Sequence, residues 1–197
     1  MKKRVIVIAA CIVIVCLLSV MLFSLGSKGD IGPCTEYKCN VKNFRLATTI
    51  EISKDGNYFS KVTGDLFKFV TDPLTMIDYQ GNKIAYAGDV YHLIAQDSHA
   101  IFVNEEVSVE MVGKVEVFGE EYDIYDKDGK KLANVKFNEL NTDGEMYDTD
   151  GKLIADFNSR VFFNDFDVRI TENCKLDEKT VLMIFCSYYS DYSADSK

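Results

Sequence analysis

The chain has 197 residues and carries 22 basic against 31 acidic side chains, a net charge of −9. That length provides one well-buried domain plus an appendage. The acidic balance argues against a nucleic-acid binder and against simple attraction to an anionic membrane surface.

The appendage comes first. Lys2, Lys3 and Arg4 precede twenty-one uncharged residues, Val5 to Leu25. As a helix, this run spans about 30 Å, the hydrocarbon thickness of a bilayer. The basic cluster favours a cytoplasmic N-terminus with the remainder outside, so residues 1–27 are expected to be a single-pass anchor in the cell membrane. The competing reading is a signal segment cleaved near Gly26, where Ser24-Leu25-Gly26 offers small residues, with a secreted product. The apolar run exceeds the usual signal core, which favours the anchor. Ile8-Ala9-Ala10-Cys11 looks like a lipoprotein box, but only four apolar residues precede its small pair. All the acidic residues lie beyond this segment, leaving a remainder with 19 basic against 31 acidic side chains, a net −12 that favours solubility.

Gly26 to Gly32 reads "GSKGDIG" and opens a flexible linker over residues 28–35. Cys34 and Cys39 fall at its end, and a disulfide between them would close a small loop in an oxidising compartment. Another reading pairs one of them with Cys174. With Cys186 the four allow three full pairings, and free thiols are the remaining alternative. A zinc site is not supported, because neither His92 nor His99 has a nearby cysteine partner.

From residue 36 to 197 a recurring pattern dominates. When Gly56, Gly81, Gly129 and Gly151 are aligned, Ile52, Ile77, Tyr125 and Tyr147 lie four residues earlier. Phe59, Ile84, Leu132 and Ile154 lie three residues later, followed by the small Ser60, Ala85, Ala133 and Ala155. A fifth copy fits with Glu106 in the glycine place, although Glu110 breaks the small position. The period of about 22–25 residues marks an internal repeat. Each unit reads as strand, tight turn, strand: the arms alternate, and Asp-Gly supplies the positive φ that hairpin turns require. Five hairpins give ten strands. Further strands around Tyr37 to Leu46 and Phe166 to Ile170 bring the total to about twelve.

The pattern changes near the C-terminus. Asp177 is a plausible N-cap for a helix over about 177–190, with Glu178 in its first turn. In "VLMIFCSYY", Val181 to Tyr189, apolar residues occur almost all round the helix, which demands burial on every side. The segment is too short to cross a bilayer. The polar tail from Ser190 is expected to fray.

The stretches "YDIYDKDGKKLANVKF", "MYDTDGKLIADFNSRVFFNDFDVRI" and "LDEKTVLMIFCSYYSDYSADSK" together resemble the tubby-like fold, and in particular the LURP-one-related family of bacteria and plants. The resemblance covers about residues 36–197 and implies a mainly β domain: a closed antiparallel barrel of about twelve strands with the C-terminal helix buried at its centre. It also implies a phospholipid as one class of partner, since tubby relatives bind phosphoinositides through basic residues and scramblase relatives are associated with lipid movement. This chain departs from that pattern, because Lys127, Lys130 and Lys131 are interleaved with acids.

"YDKDGKK" and "YDTDGKL" contain the Asp-x-Asp-Gly of a calcium loop, but with Gly129 or Gly151 at loop position six, Val135 or Phe157 stands where the closing carboxylate belongs. They read as hairpin turns. His92 and His99 lack a Ser or Cys nucleophile in a recognised motif. Glu105-Glu106 and Glu120-Glu121 are adjacent in sequence, so on strands they point to opposite faces and do not converge. The sequence contains no Gly-rich phosphate loop, HExxH, GxSxG or CxxC. The expectation is a non-enzymatic binding or scaffold module without cofactor or metal, its partner an envelope protein, with phospholipid handling as the alternative.

Overall fold

The computed structural model describes residues 31–44, 47–64, 74–89, 98–114, 119–138, 142–159 and 165–195. The anchor-or-signal reading of residues 1–27, together with Cys11 and Cys16, lies outside the described residues, as do Pro73 and His92. Among the described residues no helix is long and apolar enough to cross a membrane.

Twelve strands run in chain order: β1 (Cys34–Phe44), β2 (Ala47–Lys54), β3 (Asn57–Thr63), β4 (Leu74–Ile77), β5 (Lys83–Asp89), β6 (Ser98–Val103), β7 (Glu106–Lys114), β8 (Glu120–Tyr125), β9 (Lys131–Phe137), β10 (Asp143–Asp148), β11 (Leu153–Ser159) and β12 (Asp165–Thr171). One helix, α1 (Glu178–Asp195), follows. Each strand pairs antiparallel with its sequence neighbour, and β12 returns to β1, closing the barrel. Closure leaves no unpaired sheet edge. The twelve strands, the closed barrel and the C-terminal helix agree with the reading of the sequence.

The five hairpin turns lie at one end of the barrel and come in two kinds. Asp55-Gly56 and Asn104-Glu105 are two-residue turns with positive φ at both positions, matching the twist of the flanking strands. Asp78, Asp126 and Asp148 begin longer turns that close on Gly81, Gly129 and Gly151, each with φ between 76 and 86°. All five hairpins carry a register shift beside the turn. The fifth copy of the repeat is corrected by one residue. Glu105, not Glu106, takes the place of Gly56, which makes Ile101, Val109 and Met111 its inward residues.

The repeat's small residues gain a structural meaning here. Ser60, Ala85, Ala133 and Ala155 all face inward and are buried, one on each of four strands just past the turns. They form a collar wide enough to admit the helix. Asp177 caps α1, its Oδ1 accepting from Lys179 N at 2.9 Å. Val181 to Tyr188 are buried without exception. Glu178 meets β1 and β2, Thr180 hydrogen-bonds Ser108 of β7 at 2.7 Å, Phe185 contacts Phe137 of β9 and stacks on Phe157 of β11, and Tyr189 stacks on Phe166 of β12. Contact on so many sides places the helix in the bore. The helix also runs past the expected end at residue 190, because Tyr189 and the buried Ser190 still have wall to pack against.

The outer wall has the opposite polarity. Lys38, Lys42, Glu51, Lys61, Glu121, Asp123, Lys136, Glu145, Asp156 and Arg169 stand on it. A membrane-spanning barrel needs an apolar outer band, and this wall does not have that pattern.

Candidate functional site

Among the described residues, a recess of about 580 Å³ lies on the outer wall where β8, β9 and the β10–β11 hairpin meet. Glu121, Lys131, Asn134, Lys136, Tyr147, Asp148, Thr149 and Gly151 line it. Alternation along β8 turns Glu121 and Asp123 outward, and alternation along β9 does the same for Asn134 and Lys136. Register then brings the two strands together, with Glu121 opposite Lys136 and Asp123 opposite Asn134.

The floor is a charge network. Lys114 Nζ, from β7, lies 2.5 Å from Glu121 and 3.0 Å from Asp123. Lys131 reaches Asp123 at 2.6 Å, and Lys136 stands 3.4 Å from Glu121. Asn134 Nδ2 donates to Glu121 at 2.8 Å, to Asp123 at 3.0 Å and to the Tyr122 carbonyl at 3.2 Å. Partial burial pushes both carboxyls up, but the hydrogen bonds from the lysines and Asn134 outweigh it and hold both below the ordinary carboxylate range. Hydrogen bonding to Glu121 holds Lys114 above its usual value. At neutral pH these groups are therefore fixed as ions: the carboxylates hold no proton to donate, and Lys114 has no free lone pair for attack. The arrangement suits recognition by charge and shape. Lys136, with 57% of its side chain exposed and the longest ion pair, is the cation most open to an incoming ligand.

Of the residues singled out in sequence, Glu121, Lys131, Asp148 and Gly151 line this recess, whereas the histidine and glutamate candidates for catalysis do not converge on a common site. His99 is buried on β6, in register with Met111. Glu105 and Glu106 are exposed at a turn tip. Glu120 accepts a hydrogen bond from Tyr122 at 2.7 Å while Glu121 faces the recess, so adjacent carboxylates diverge as expected. Asp126 and Asp148 each use Oδ1 to accept two backbone N–H groups of their own turn at 2.9–3.0 Å. Among the described residues no group of three or more His, Cys, Asp or Glu could hold a metal ion.

Cys34 and Cys39 are both free thiols on β1. Five residues of strand separate them by about 16 Å and turn them to opposite faces, which is incompatible with a bridge between them.

A second cluster, invisible in sequence, closes the turn end of the bore. Tyr37 Oη donates to Glu178 Oε2, and Lys54 Nζ reaches the same oxygen at 2.8 Å. Tyr37 is pushed up to about 12, first by burial and then by the Glu178 hydrogen bond. Lys54 also rises to about 12, chiefly through Glu178. This cluster fixes the helix in the barrel.

Compared with protein-family models and with characterised proteins, the chain matches none.

Proposed function

We propose that this chain is a membrane-tethered, extracytoplasmic barrel of the tubby-like, LURP-one-related kind, acting as a non-enzymatic binding or scaffold module. The observation that carries the reading is the filled bore. A barrel whose interior is occupied by its own apolar helix leaves recognition to its outer wall and rims. The lysine- and carboxylate-lined recess between β8 and β11 is the natural contact surface, with Lys136 and Tyr147 as its accessible groups. Phospholipid handling finds weaker support, because the recess lysines are matched by carboxylates and the net charge is negative.

Site-specific photocrosslinking from Thr149 in native membranes tests the proposal. An envelope protein captured by the wild type and lost in Lys136→Glu, with the variant's circular dichroism unchanged, is the expected result. Flotation of the wild-type chain with vesicles even after residues 1–27 are deleted would favour the lipid reading. Turnover of a lipid or glycan, abolished by substituting His99 or Glu121, would overturn the non-enzymatic one.

A further inference from the structure

Of the four described cysteines, two meet across the bore. Cys39 faces inward from β1 at 1% exposure, Cys186 lies on α1 at 0%, and the two side chains touch. Their placement beside the Tyr37–Glu178 contact agrees. Cys39 is two residues beyond Tyr37, on the same inward face of β1. Cys186 is eight residues beyond Glu178, a little over two turns of helix, and so on the side of α1 that Glu178 presents to β1. The remaining two cysteines are placed otherwise. Cys34 stands on the opposite face of β1 from Cys39, and the Cys174 thiol points to the Leu176 carbonyl at 3.9 Å.

We propose that Cys39 and Cys186 are a disulfide site, at which oxidation pins the helix covalently to the barrel wall. The oxidant is a small-molecule disulfide or the disulfide of a thiol oxidoreductase. A thiolate from one cysteine attacks it, the second cysteine displaces the resulting mixed disulfide, and one new S–S bond replaces the one broken. The two cysteines are oxidised by two electrons, and the reagent leaves as two thiols carrying the two protons. Because both sulfurs lie beneath the surface, the oxidant reaches them while the helix is entering the barrel or during its opening. The site depends on the fold alone and stands whether or not the binding-module reading survives.

The test refolds the full-length reduced chain from denaturant in mild detergent with reduced and oxidised glutathione, blocks free thiols, and maps disulfide-linked peptides by mass spectrometry. The Cys39–Cys186 peptide pair is expected as the dominant linkage. The chain folded beforehand under reducing conditions should form it far more slowly under the same buffer. Enclosing nearly the whole domain, the bond should raise the unfolding midpoint by about 5–15 °C over the reduced protein. That difference should vanish in Cys186→Ala and in Cys39→Ala. A dominant linkage through Cys34 or Cys174, or alkylated Cys39 and Cys186 after oxidative refolding, would overturn the proposal. Should either variant fail to fold, the wild-type peptide map still decides.

Discussion

Asp148 uses its carboxylate inside its own turn. Its Oδ1 accepts from Asp150 N and Lys152 N, each at 2.9 Å, and Asp126 and Asp78 repeat the arrangement. Replacing Asp148 by Ala removes two such bonds and should cost about 1–2 kcal/mol in urea unfolding. Calcium at millimolar concentration should leave the thermal midpoint of both proteins unchanged. A calcium-dependent rise in the wild type, lost in the variant, would restore the metal reading. Gly144 teaches a related lesson. It forms an Asp-Gly pair with Asp143, as in the turns, yet it lies within β10 and is buried. A β-carbon there would come within 2.6 Å of the Phe137 ring, which is stacked on Tyr188. Gly144→Ala should therefore cost about 1–3 kcal/mol through overpacking, read as a lower urea midpoint with an unchanged slope. A neutral effect would mean that the ring moves freely. The dipeptide alone cannot distinguish a turn from a glycine that makes room for an aromatic ring. The difference lies in a cross-strand partner.

Among the elements, α1 shows how much of the fold was legible in the sequence. Its N-cap at Asp177 and its all-round apolar surface were readable, because each is a local pattern; the recurrence of the small residues was readable too, but not the collar they form around it. The latch at its start was not, since Tyr37 and Glu178 lie 141 residues apart. The recess is an intermediate case: period-two alternation turns Glu121 and Asp123 outward, but only the β8–β9 register sets Glu121 opposite Lys136. The latch makes a pH prediction. Burial raises Glu178, and hydrogen bonds from Lys54 and Tyr37 outweigh it, leaving its folded value below the usual 4.5. Its contribution is therefore present above about pH 4.5 and is lost as pH falls through the folded value. Lys54 and Tyr37 are shifted up to about 12 from 10.5 and 10.0, so their contributions are complete below those usual values and fade as pH rises toward 12. The stability difference between wild type and Glu178→Gln should form a plateau across neutral pH. It should shrink at the acid end through Glu178 and at the alkaline end through Lys54, whereas the burial effect on Tyr37 remains in both proteins. A difference that does not vary with pH would assign the substitution's effect to packing alone.

At the scale of the whole molecule, the number of strands and the helix explain each other. Eight strands close a barrel whose bore side chains can just fill, and the bore widens with every added strand. Twelve therefore leave a central space. An α-helix with its side chains is about 10–12 Å across and supplies what the wall cannot. The inward face is committed to that partner: Ile50, Val62, Met76, Met111, Ile124, Val135 and Val168 are all fully buried. The wall cannot collapse to cover them, because hydrogen-bonded strand spacing fixes its circumference. It cannot turn them toward lipid either, since its outer surface is ionic. Deleting residues 177–197 should thus abolish the cooperative thermal transition and the near-UV circular dichroism, leaving an aggregating chain. Phe185→Ala provides a graded version. Its ring stacks on Phe157 and meets Phe137 edge-on, so truncation should cost about 3–5 kcal/mol while the fold persists. If the deleted chain still unfolds cooperatively, the β-sheet has a way to close without its helix, and the helix would then be an occupant of the barrel rather than the core around which it closes.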